Sequence, residues 1–111
     1  MELRKSTLIW LNSLGIQNIT LAKLDYKLEG IENIHSTSLD YLKKIGLLNG
    51  TIISRIYSAD YKKDIYEYMK LLKSNNIDPI TAYDMEYPYS LKQIPDKPMV
   101  IYTKGRKIKN D

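Results

Sequence analysis

Cysteine is absent from the 111 residues, so the chain has neither a disulfide framework nor thiolate chemistry, and a reducing compartment suits it. Histidine occurs once, at position 35. Without cysteine partners it argues against a zinc centre. A Ser-His-Asp arrangement would have to use the same His35, which the helix pattern places in a polar inter-helix loop. None of the five glycines belongs to a glycine-rich phosphate loop. Long apolar runs are missing as well. Leu8 to Leu11 follow the basic pair Arg4-Lys5, but Asn12 and Ser13 break the run well short of the roughly 7–15 residues of a secretory signal. No stretch approaches the roughly 18 apolar residues of a membrane span. These absences point to a cytoplasmic protein that is not an enzyme and that needs no cofactor, metal or membrane.

Phenylalanine is also missing, while tyrosine occurs ten times beside abundant Ile, Lys and Asn. An AT-rich coding sequence produces this bias, and tyrosine is expected to fill core positions that phenylalanine would otherwise take. A base-stacking platform is the functional alternative. The net charge of +4 is unevenly placed. Residues 97–111 hold five bases against one acid, which leaves residues 1–96 neutral. Within that body, residues 43–73 carry seven bases against three acids, and residues 74–96 carry Lys92 against Asp78, Asp84, Glu86 and Asp96. The middle helices thus present a mild basic face, weaker than the stripe of a dedicated DNA-binding domain.

Two zones follow from periodicity. Residues 1–76 read as consecutive short helices. The first spans Arg4–Leu14, with Leu3, Thr7, Trp10, Leu11 and Leu14 on its inner stripe, and ends at Gly15. Asn18 is the expected N-cap of the second, whose apolar face is Ile19, Ala22, Leu24 and Leu28, up to Gly30. A short segment at Ile31–His35 and helices opened by Ser38 and Asn49 come next. A longer helix over 59–74 has Tyr61, Ile65, Tyr68, Met69 and Leu72 as its core stripe. Residues 77–105 change character, with a strand at Ile77–Tyr83, a turn and short helix after Pro88, and a second strand at Met99–Thr103. Residues 106–111 form a charged tail. The fold class is therefore mainly α: a small multi-helix domain of sterile-alpha-motif-like or helix-hairpin-helix-like kind, followed by a two-stranded extension.

The run from Leu14 to Leu24 has the cadence of a helix-hairpin-helix, in which glycines let the backbone turn and present helix N-terminal amides to a phosphate. Gln17 stands where the usual second glycine would be, so the turn remains while phosphate binding is weakened. Residues 45–53 repeat the cadence in degenerate form. The candidate nucleic-acid contacts are Gly15, Lys23 and Lys27, the 43–73 basic face, and the tail with Lys104, Arg106 and Lys107. Asp60, Asp64 and Glu67 share a helical spacing that suits metal, but neighbouring Lys63 and Lys70 favour a solvated face. Asp84 and Glu86 are read as capping the turn before Tyr87-Pro88.

The most specific stretch runs without a gap from Asp84 through Tyr87-Pro88, Leu91, Ile94, Asp96, Pro98 and Tyr102 to Gly105. It resembles the corresponding segment of the DNA-processing protein A (DprA, or Smf) family. The upstream Trp-Leu helix, Gly-Ile hairpin and long helix running into Asn76-Ile77 are similar too. The resemblance implies an amino-terminal accessory region whose two strands open a Rossmann-like sheet, as part of a longer parent. It further implies that the parent binds single-stranded DNA and loads RecA during natural transformation, with self-association also open to it. Tyr87, Pro88, Asp96, Pro98 and Gly105 are carried over as structural motif positions. The rival expectations are a direct nucleic-acid-binding hairpin module and an unrelated protein-interaction domain.

Overall fold

The computed structural model describes residues 2–58 and 60–105. Six α-helices, one 3₁₀ segment and two strands follow in the order α1 (Leu3–Ser13), α2 (Asn18–Leu28), the 3₁₀ turn Ile31–Ser36, α3 (Leu39–Ile45), α4 (Gly50–Ser58), α5 (Tyr61–Ser74), β1 (Ile77–Thr81), α6 (Tyr89–Lys92) and β2 (Val100–Lys104). The protein is thus mainly helical, with one two-stranded antiparallel sheet in which Ile77 faces Lys104 and Thr81 faces Val100.

Helix α1 is the hub. Ser6 through Leu11 are all buried, whereas Leu3 at its start is exposed, so the helix is surrounded rather than striped as the periodicity suggested. It packs against α2, the 3₁₀ turn, α5 and both strands. A chain this small has one interior, and the first helix occupies it because α2, the 3₁₀ turn, α5 and the two strands each need an apolar surface to cover.

Helix α2 corrects the expected face. Leu21, Leu24 and Leu28 are buried, while Ile19 and Ala22 point outward. Asn18 is not the cap but the first helical residue, preceded by Gln17, and its Oδ1 accepts the Met99 amide at 3.1 Å. The asparagine is spent on fastening the strand region to the hairpin. The helix ends with Glu29 in the left-handed region at φ 56°, and Gly30 follows at φ 133°. Gly30 N–H donates to the Asp25 carbonyl and Glu29 N–H to that of Tyr26, which closes the helix in a Schellman arrangement.

The other caps follow the sequence. Ser38 Oγ accepts from the Tyr41 amide, Asn49 Oδ1 from that of Ile52, and Asp60 Oδ1 from that of Lys63. Asp60 therefore opens α5, one residue beyond the expected start in a position outside the described residues. His35 does not lie in a polar loop. Its ring stacks on Tyr61 at 3.7 Å between centroids, faces Trp10 at 6.0 Å, and bonds the buried Thr7 hydroxyl at 2.8 Å. Desolvation there lowers its pKa from the ordinary 6.5. Tyrosine fills the core less than expected, since six of the ten tyrosines are exposed. Tyr57 and Tyr102 explain part of this, because their hydroxyls bond the Thr37 carbonyl and Asn12 at the surface.

Candidate nucleic-acid interface

Turning Ile19 and Ala22 outward places them beside residues that the chemistry of the sequence had already marked. At 3.6 residues per turn, Ile19, Ala22, Lys23, Tyr26 and Lys27 share one side of α2. With Leu47 from the loop after α3 they line a shallow depression of about 280 Å³. Tyr26 is 83% exposed and Ile19 46% exposed, and Lys23 and Lys27 flank the tyrosine. Asp25, the nearest acid in sequence, is engaged elsewhere. It pairs with Arg4 at 3.2 Å and accepts the Ile31 amide at 2.8 Å. Among the described residues neither Lys23 nor Lys27 forms an ion pair. An unshielded pair of lysines around a bare aromatic ring offers a phosphate two charges and a base one stacking face.

Gly15 lies three positions before Asn18, the first residue of the same helix. It is exposed at φ 87°, a left-handed conformation, and Ile16 beside it is buried. Nothing within 4 Å would meet a Cβ there, so its requirement is one of backbone conformation alone. Lys104 ends β2 opposite Ile77 and is not part of the α2 depression. Arg106 and Lys107, with the rest of the tail, lie outside the described residues. Of the expected contacts, then, Lys23 and Lys27 are brought together, and Tyr26 and Leu47 join them without having been singled out. Tyr26 was legible as an i+3 neighbour of Lys23. Leu47 arrives only by tertiary packing.

The motif stretch has a separate, structural geometry. Asp84 Oδ2 accepts the Thr81 amide at 2.7 Å and the Thr81 hydroxyl at 3.0 Å, and its Oδ1 meets Lys5 Nζ at 2.5 Å. Burial alone would raise its pKa, but the bonds from Lys5 and Thr81 outweigh that and hold it below the ordinary carboxylate value. Tyr87 is buried, and its hydroxyl donates to the Pro98 carbonyl at 2.7 Å. Pro88 stands at the N-terminus of α6, and its carbonyl accepts the Leu91 amide. Asp96 is exposed in the turn before β2. Gly105, at φ 71°, donates its amide to the Asn76 carbonyl. Arg4 and Lys5 serve ion pairs, and Arg4 also covers the Tyr83 ring at 3.8 Å.

The carboxylates considered for metal are dispersed. Asp60 caps α5, while Asp64 and Glu67 line a separate depression with Trp10, Arg55 and Tyr68. Among the described residues no three His, Asp or Glu side chains gather as metal ligands, and no helix is long and apolar enough to cross a membrane. Comparison with protein-family models, curated proteins and solved structures finds no match to this chain.

Proposed function

We propose that the chain is the amino-terminal accessory region of a cytoplasmic, non-enzymatic DNA-processing protein of the DprA/Smf kind. In this reading the parent binds single-stranded DNA and hands it to RecA during DNA uptake and natural transformation. The region itself positions the parent's Rossmann-like sheet, of which β1 and β2 are the opening strands, and contributes to self-association. The observation that carries the proposal is the mutual engagement of the motif residues. Tyr87 is bonded to Pro98, Asp84 organises the end of β1, and Gly105 closes the sheet against Asn76. Residues that carry the resemblance thus have interlocking structural roles, which supports the reading.

The α2 patch favours a second reading, in which this region touches the nucleic acid directly through Tyr26, Lys23 and Lys27. One titration separates the two. An oligothymidine of about 16 nucleotides, at the upper end of a single-module site size, is titrated at low and near-physiological salt. The accessory role expects weak binding that falls steeply with salt and largely disappears when residues 104–111 are removed. Tight binding that survives both changes and is lost in Tyr26→Ala assigns the contact to α2. An in-frame glycine-rich Rossmann-like segment in the encoding gene is the genetic counterpart, and its absence would count against the DprA/Smf assignment.

A further inference from the structure

A larger groove than the α2 depression lies between α5 and β1, with a volume of about 650 Å³. Its floor is apolar, built from Ile65, Met69, Leu72 and Ile77, and Lys62, Tyr66 and Lys73 stand along its rim. Tyr66 is 66% exposed. We propose that this groove is a docking site for an acidic amphipathic helix of a partner protein.

The strand edge decides the backbone of the occupant. Ala82 N–H donates to Met99 O at one end of the ladder and Gly105 N–H to Asn76 O at the other. With the observed register, Asp78 and Ile80 direct their backbone groups toward β2, and Ile77, Pro79 and Thr81 direct theirs toward the groove side. Pro79 has no amide hydrogen, and the Thr81 amide is already given to Asp84 at 2.7 Å. Among the described residues of β1, only Ile77 has an outward amide to offer. An added strand would find too few donors, as at other proline-blocked edges. A helix satisfies its own backbone and needs only an apolar trough.

The charge of the occupant follows from how α5 distributes its polar residues. Lys62 and Lys73 are eleven positions apart, three turns or about 16 Å on the same side of the helix. Asp64 and Glu67 lie on the opposite side, in the depression with Trp10 and Arg55. The one acid in the groove lining, Asp78, is itself engaged. A three-turn groove with a basic rim along α5 and a methionine on its floor fits a helix whose apolar residues recur at i, i+3, i+4 and i+7 and whose α5-facing flank carries Glu or Asp. The floor residues Ile65, Met69, Leu72 and Ile77 offer a base no ring to stack on but suit the apolar face of a helix, which favours the peptide.

The test uses the whole chain and two labelled peptides of about 18 residues, long enough to cover the three turns of the groove. Both share one Leu pattern, with Glu flanks in one and Lys flanks in the other. The Glu peptide is expected to bind with roughly micromolar Kd and to perturb the amide resonances of Ile65, Met69 and Ile77. Lys62→Glu with Lys73→Glu is expected to weaken it about tenfold, as is Met69→Glu, while Lys92→Glu on α6 leaves it unchanged. The doubly charge-reversed variant alters only exposed residues, so it tests the site even if Met69→Glu fails to fold. Absence of saturable binding, equal affinity for the Lys peptide, perturbations confined to other elements, or displacement by oligothymidine would each overturn the proposal.

Discussion

Two faces of the helical region use the same kinds of residue in opposite ways. Where α1, the 3₁₀ turn and α5 meet, Trp10, His35 and Tyr61 stack and Thr7 bonds the imidazole, with Trp10 and Thr7 buried and His35 and Tyr61 half-buried. On the outer side of α2, Tyr26 stands in solvent with Ile19, Lys23 and Lys27 around it. The first aromatic cluster is consumed by folding, and the second contributes almost nothing to it. Stability thus rests on the first set of aromatics, while the second is left free for the contact that the direct-binding reading proposes, and the two are separable by mutation.

The largest expected effect is at the closed cluster. Trp10→Ala removes the buried ring that faces His35 and is expected to cost about 3–5 kcal/mol in urea denaturation, the range for a large buried aromatic. Native Trp10 fluorescence should be blue-shifted and move red on unfolding. A loss well below 1 kcal/mol, or a native spectrum like that of free indole, would mean that this cluster is as open as the α2 face.

Gly15 lies between the two faces and should behave as part of the first. A β-branched residue at φ 87° is strained even though no atom obstructs its Cβ. Gly15→Val is expected to lower stability by roughly 1–3 kcal/mol while leaving salt-sensitive DNA binding as it was. Unchanged stability with binding abolished would move Gly15 to the recognition side of the comparison.

A smaller effect comes from the His35 proton. Burial lowers the folded pKa below the ordinary 6.5, so the unfolded chain takes up the proton first as pH falls. Stability from this site is complete above about pH 6.5, declines as pH drops through 6.5 toward the folded value, and has no further dependence below it. His35→Phe preserves a stacking ring and should flatten that window of the stability profile. The Asp84 pair acts separately at lower pH, since its depressed pKa stabilises above the ordinary carboxylate range and is lost as pH falls through the folded value. An identical slope near pH 6 in the His35→Phe variant would remove His35 from the account.

How much of this was legible depended on whether a residue's role was local. Ser38, Asn49 and Gly15 act on amides or dihedrals within a few positions, and the structure places them as the sequence suggests. Asn18 looks like a cap by the same local rule, yet it bonds Met99, 81 positions away, and no periodicity contains that contact. Ile19 and Ala22 were assigned inward because apolar spacing alone does not say which of two apolar stripes of α2 meets α1. The lysines of the candidate site were visible as charges, but their exposure around Tyr26 depended on that same choice of stripe. His35 was misplaced for a related reason, because a lone polar residue between helices looks solvent-facing until Trp10 and Tyr61 are brought around it.

The smallest expected stability effect is the sharpest test of the comparison. Tyr26 is 83% exposed, so Tyr26→Ala removes little buried surface, and its loss from a helix is offset by the better helix propensity of alanine. Stability should stay within about 0.5 kcal/mol of the parent, as for surface positions generally. Lys23→Gln with Lys27→Gln should do the same, because neither lysine is in an ion pair among the described residues. Under the accessory role, oligothymidine binding is nearly unchanged in these variants and is governed by residues 104–111. Under direct contact, the tyrosine change costs roughly 1–3 kcal/mol of binding, the usual worth of a base–aromatic stack, and the lysine pair reduces the salt slope. A variant that loses stability instead would show that the α2 face is covered by other parts of the molecule, and the division between folding and recognition aromatics would fail at Tyr26.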